Sequence, residues 1–130
     1  MIAADTSTWI AFLEGSAGED VQLLDKALED RQVSMVPVVL TELLSDPKIP
    51  PRVADTLSEL PMIELEPGYW RRAGVLRAKV IAKGRKARLG DALIAQTCID
   101  RDISLLTRDR DFRAFGDAAG LDLVLAIGTD

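Results

Sequence analysis

The stretch Met1-Ile-Ala-Ala-Asp5-Thr6-Ser7-Thr8-Trp9-Ile10-Ala11-Phe12-Leu13 decides the fold class. Residues 1–4 read as a short apolar strand. The hydroxyls that follow can cap a helix, and Trp9, Ile10, Phe12 and Leu13 can pack it. The same alternation continues downstream. Helical spacing over 20–30 precedes a strand at 32–36, and Pro37 suits the first residue of a helix reaching about Ser45. A helix candidate at 51–60 is followed by a short strand at 62–65. A long amphipathic helix spans 69–83 and stops at Gly84. A further helix covers 91–102, a strand 104–107, and a last strand 121–127. Strands alternating with helices predict an open, mostly parallel α/β sheet, and strands this short and apolar suit burial on both faces. Asp46-Pro-Lys-Ile-Pro-Pro51 reads as a turn between helices. With no internal repeat and no dividing linker, residues 1–130 are expected to form a single domain.

Composition excludes more chemistry than it suggests. The 130 residues are 48% hydrophobic and 28% charged, ordinary proportions for a soluble domain. A chain of this size buries roughly two-thirds of its unfolded surface and needs no disulfide or structural metal to fold. Histidine is absent, which rules out Ser-His-Asp triads, paired-imidazole ribonuclease chemistry, histidine phosphotransfer and HExxH zinc sites. Cys98 is the only cysteine and reads as a small buried hydrophobe. Any catalysis must therefore use carboxylates, hydroxyls, Lys, Arg or a hard metal ion. No apolar run approaches the roughly 18 residues of a membrane span. Residues 1–5 lack the pattern of a secretory signal, so the cytoplasm is the expected compartment.

The net charge is −5, from 21 acids and 16 bases, yet the bases are not evenly spread. Between Pro67 and Gly90 lie Arg71, Arg72, Arg77, Lys79, Lys83, Arg85, Lys86 and Arg88, without one acid. Such a stripe suits a polyanion. Its ordinary alternative is a solvated helix face with snorkelling side chains.

Among so many acids, position must select the functional ones. In open parallel sheets, ligands bind beyond the carboxyl ends of the strands. Asp5 ends the first strand, and Asp109 lies two residues past Thr107, the end of another. Taken alone, each is more simply read as a helix N-cap. Asp91 shares a helical stripe with Ile94, Ala95 and Cys98, so it faces inward, although a first-turn acid also complements the helix dipole. Glu42 borders the apolar face set by Val38, Val39 and Leu43, where a solvated position is the simpler reading. If the four converge, their repulsion demands a cation, and oxygen-only ligands select Mg²⁺ or Mn²⁺. Such an ion can activate water and neutralise a scissile phosphate. The basic segment ending at Arg88 runs straight towards Asp91, so the polyanion surface would adjoin the acids.

Asp5 to Leu13, Leu40-Thr-Glu-Leu-Leu44, Gly90-Asp-Ala-Leu-Ile-Ala95 and Leu105-Leu-Thr-Arg-Asp-Arg-Asp-Phe112 follow one another as in PIN domains. The chain resembles the VapC-type ribonuclease toxins of toxin–antitoxin pairs over nearly its full length. That resemblance implies a PIN-like three-layer α/β fold with a short, mostly parallel central sheet flanked by helices. It implies Mg²⁺ or Mn²⁺ at Asp5, Glu42, Asp91 and Asp109, hydrolysis of RNA, homodimers, and neutralisation by a small antitoxin. Asp111 competes with Asp109 for the fourth acid, but its place before Phe112 resembles the family's structural Asp-Phe pair. Thr6, Ser7 and Thr107 are expected to orient the ligands by hydrogen bond. Arg85, Lys86 and Arg88 are the expected RNA contacts.

Three rivals remain to be separated. A phosphoryl-accepting receiver needs an acid pair at the end of strand one and a Lys after the last strand, and 121–130 contains no Lys. A haloacid-dehalogenase-like phosphatase needs a second Asp where Ser7 stands. The third is a PIN-like module without catalysis that binds protein or RNA.

Overall fold

A computed structural model describes residues 1–125. Its elements run β1 (Ile2–Ala4), α1 (Thr6–Leu13), α2 (Glu19–Glu29), α3 (Pro37–Leu44), α4 (Pro51–Ser58), α5 (Tyr69–Ala82), α6 (Leu89–Arg101) and β2 (Ser104–Thr107). A 3-10 turn (Arg110–Phe112), α7 (Arg113–Ala119) and β3 (Leu123–Leu125) complete the order. The three strands form one parallel sheet in the order β1-β2-β3. Ala3, Ala4, Leu105, Leu106 and Thr107 are all buried, although successive strand residues point to opposite faces. Both faces of β1 and β2 are therefore covered over these residues, which suits their apolar composition, while β3 is half-buried.

Local chemistry explains most boundaries. Asp5 caps α1 by accepting from the Thr8 backbone N–H, and Pro37 and Pro51 occupy the first turns of α3 and α4. Asp102, in the left-handed region at φ 52°, ends α6 and turns the chain into β2. The core joins Trp9, Leu24, Met35, Val39, Ile94, Leu105, Phe112 and Phe115. Cys98 lies within it as an unpaired thiol whose pKa burial raises to about 12.

Three expectations are revised. The segments at 32–36 and 62–65 are not ladder strands; they contribute single parallel bridges, Ile2 with Val33 and Met35 with Met62. Pro37 starts a helix directly after Val36, and Pro61 has no N–H to donate, so neither segment can extend its pairing. Helix α7, which has no counterpart in the sequence reading, packs Ala114 and Phe115 inward and ends at Gly120 (φ 71°). The last strand begins at Leu123, not 121, and its expected residues 126 and 127 lie outside the described residues.

Candidate metal centre

The site is built where β1 and β2 end. Adjacent parallel strands deliver Asp5 from one and Thr107, followed by Asp109, from the next. Asp5 is 3% exposed, and three donor groups reach its carboxylate. Its Oδ1 accepts from the Thr8 backbone N–H at 3.0 Å and its Oδ2 from Thr107 Oγ1 at 2.7 Å. Ser7 Oγ lies 2.8 Å from both oxygens. Burial raises its pKa; hydrogen bonds from Thr107, Thr8 and Ser7 oppose the rise, and the charge of Asp109 adds to it.

The first turn of helix α6 carries Asp91 into the same pocket. Carboxylate oxygens of Asp91, Asp109 and Asp111 all lie within 4.8 Å of one another. Burial lifts the Asp91 pKa to about 6, helped by the charges of Asp109, Asp5 and Asp111 and opposed by Arg88. Its Oδ2 is buried and has no hydrogen-bond partner. A buried carboxylate oxygen left without a donor, among other acids, is poor chemistry unless a cation completes it. The residues present therefore fit a hard divalent ion: every donor is oxygen, and the repulsion between them is what such an ion removes.

The strand-end acids serve as caps as well. Asp109 Oδ1 accepts from the Asp111 backbone N–H at 2.9 Å and so caps the 3-10 turn, as Asp5 caps α1. Both readings of these residues hold together, because a cap uses one lone pair and leaves others free. Glu42 is exposed and stands at the rim. Thr6 Oγ1 donates to its Oε1 at 2.7 Å, and a Cβ placed on Gly90 would lie 3.7 Å from its Oε2. Glu42 thus sits between the start of α1 and the start of α6, and is not among the three acids whose oxygens approach one another. Thr6, Ser7 and Thr107 each donate to one of these acids, Thr6 to Glu42 and the other two to Asp5.

Asp111 belongs in this cluster more fully than its place before Phe112 suggests. A 3-10 turn has three residues per turn, which sends Phe112 into the core and turns Asp111 back towards Asp91. The basic segment divides. Arg72 pairs with Asp100 and donates to the Pro67 carbonyl, and Arg77 donates to the Ala87 carbonyl, so these two brace α5 against its surroundings. The end of the segment lies beside the acids: Lys86 Nζ is 3.4 Å from Asp111 Oδ2, and Arg88 precedes α6. Arg85 is held 2.6 Å from Asp117 on α7.

The PIN domain family model matches residues 2–118, which include every acid of the site. The chain belongs to the PIN domain family. Ribonuclease VapC5 of Mycobacterium tuberculosis is 24% identical over 126 residues, covering 92% of this PIN domain and 91% of that protein. The fold is that of solved toxin–antitoxin structures. VapBC-5 of M. tuberculosis superposes with a TM-score of 0.68 at 20% identity, covering 95% of this chain and 97% of the other. VapBC2 of Rickettsia felis, bound to a DNA fragment from its promoter, gives 0.73 at 21% identity, covering 97% and 99%. These likenesses extend over almost the whole PIN domain, so the three-layer α/β architecture expected from the sequence is the one observed.

Proposed function

We propose that this PIN domain, read as a single unit over residues 1–130, is a divalent-metal-dependent endoribonuclease and the toxin of a toxin–antitoxin pair. One observation carries the chemistry: Asp91, with a buried oxygen lacking any donor, faces Asp109 and Asp111 next to the buried carboxylate of Asp5. Family membership supports the nuclease class, and the likeness to a ribonuclease VapC supports RNA as substrate and a small antitoxin as partner.

Asp5, Asp91 and Asp109 would hold Mg²⁺ or Mn²⁺, with Asp111 and Glu42 able to complete the set. When bound, such an ion supplies a more acidic water and neutralises charge on a phosphate. Ser7, Thr8 and Thr107 keep Asp5 in one orientation and leave it no rotational freedom. Glu42, exposed and anchored by Thr6, or Asp109 would help to orient the attacking water. Lys86 and Arg88 draw the phosphate backbone towards the acids, and Arg85 extends that approach. Homodimers and a cytoplasmic location belong to the same reading; no described helix is long and apolar enough to cross a membrane.

The test is cleavage of a panel of single-stranded and structured RNAs with Mn²⁺, using Asp5→Asn as control. Cleavage should disappear in the variant and in excess chelator. Activity that survives both would leave the PIN fold but remove the metal mechanism, and a protein that binds RNA or partner without cutting it would support the non-catalytic module.

A further inference from the structure

Away from the acid pocket, one ion pair stands out by its burial. Asp20, the second residue of α2, is fully buried, and the acid reading does not use it. Arg108 grips it with two parallel bonds, Nε to Oδ2 and Nη2 to Oδ1, both 2.7 Å. A third donor, Thr8 Oγ1, reaches Oδ2 at 2.9 Å. Burial alone would raise the Asp20 pKa, but Arg108 and Thr8 hold it below the usual carboxylate range. The pair also needs room. A Cβ on Gly18, whose φ is 151°, would fall 2.5 Å from Asp20 Oδ1 and 2.6 Å from Arg108 Nη2.

The placement of these contacts points to a role. Two of the groups that bind Asp5 are the Thr8 backbone N–H and the Thr107 hydroxyl. Thr8 is fastened to Asp20 by its own side chain, and Thr107 is the chain neighbour of Arg108. Thr107 Oγ1 in turn accepts from the Asp109 backbone N–H at 2.9 Å. We propose that Asp20 and Arg108 are a positioning pair: their partly buried fork sets Thr8 and Thr107, and through them the separation of Asp5 from Asp109. The inference rests on the acid pocket being a metal site, and it adds two residues that touch no reacting atom. Geometry, more than charge, is the working element, because a planar guanidinium fixes two bonds at once while an ammonium fixes one.

A second paired arginine supplies the control. Arg72 holds Asp100 with the same two-bond fork, but Asp100 lies nine residues beyond Asp91, about 14 Å along α6. The experiment compares Arg108→Lys and Gly18→Ala with Arg72→Lys in the full chain. Mn²⁺ binding is read from the EPR signal of the free ion, and amide hydrogen exchange is followed on metal-free protein. Arg108→Lys keeps a cation and loses the fork; Gly18→Ala keeps both side chains and wedges them apart, and it carries the test if the first variant does not fold. Both should weaken Mn²⁺ binding about tenfold, the lower end for residues that orient ligands, and speed exchange at the Thr8 and Asp109 amides. Arg72→Lys should change neither. Wild-type exchange at both amides, or Mn²⁺ affinity within about twofold of wild type, would overturn the pair's role. A wild-type chain that takes up no Mn²⁺ would instead overturn the metal reading, while the exchange comparison still decides whether the pair holds Thr8 and Asp109.

Discussion

Asp91 concentrates the conflict between holding a fold together and holding a cation. Its pKa of about 6 lies above the ordinary value of 3.8, so the folded state binds a proton more tightly than the unfolded chain does. The sign follows directly. Without metal, this residue's contribution to stability is greatest below about pH 4 and declines as pH rises through 6. Asp91→Asn should therefore stabilise the metal-free protein at pH 7 by on the order of 1 kcal/mol, a figure reduced because solvent screens a half-buried group. Urea midpoints at pH 7 and pH 4.5 check this: the gain should shrink at the lower pH. Metal affinity should move the other way, strengthening as pH rises through 6, because ligands must be deprotonated. At this scale the sequence was informative about position. Asp5 and Asp109 were legible from strand ends, and Asp91 from its place in line with Ile94, Ala95 and Cys98. The order of residues left Asp109 and Asp111 as competitors for the fourth acid, and the 3-10 turn brings carboxylate oxygens of both to Asp91. Asp20 and Arg108 left no periodic signal; only the folded chain brings them together.

Between elements, the joints around α6 carry most of the consequences. Tyr69 on α5 donates to the Leu93 carbonyl at 2.6 Å, and Thr97 also donates to that carbonyl at 2.8 Å. Tyr69→Phe removes one of two donors and leaves the acceptor satisfied, so it should cost only about 1 kcal/mol in a denaturant titration and leave RNA cleavage intact. The loop entering α6 should matter to binding. Replacing Arg85, Lys86 and Arg88 together by Ala should flatten the salt dependence of RNA binding, with the logarithmic slope falling by about 1–2. The value stays below the full sum because Arg85 and Lys86 already face Asp117 and Asp111. An unchanged slope would return the segment to ordinary solvated surface. Helices were the legible elements: α1, α3 and α5 begin where hydroxyls, proline and an apolar stripe indicate. Helix α7 was not, since seven residues interrupted by Gly116 offer less than two full turns of pattern. The bridges at Val33 and Met35 looked like strands because their composition is that of strands; pairing depends on what lies alongside, which a single segment does not encode.

Over the whole molecule, one short parallel sheet organises everything. Parallel pairing joins residues far apart in the chain, and here it joins the first acid to the last third of the sequence: Asp5 and its partner Thr107 are 102 positions apart. The α/β class was legible because alternation is a global property, whereas strand order had to be seen. This separation has a temporal meaning. A ribosome adding roughly 5–20 residues per second exposes Asp5 about 5–20 s before Thr107 has even been made. Throughout that interval the nascent polypeptide lacks Asp109 and Asp111, so on the proposed reading a product that stops short of Thr107 would be inert towards the transcript beside it.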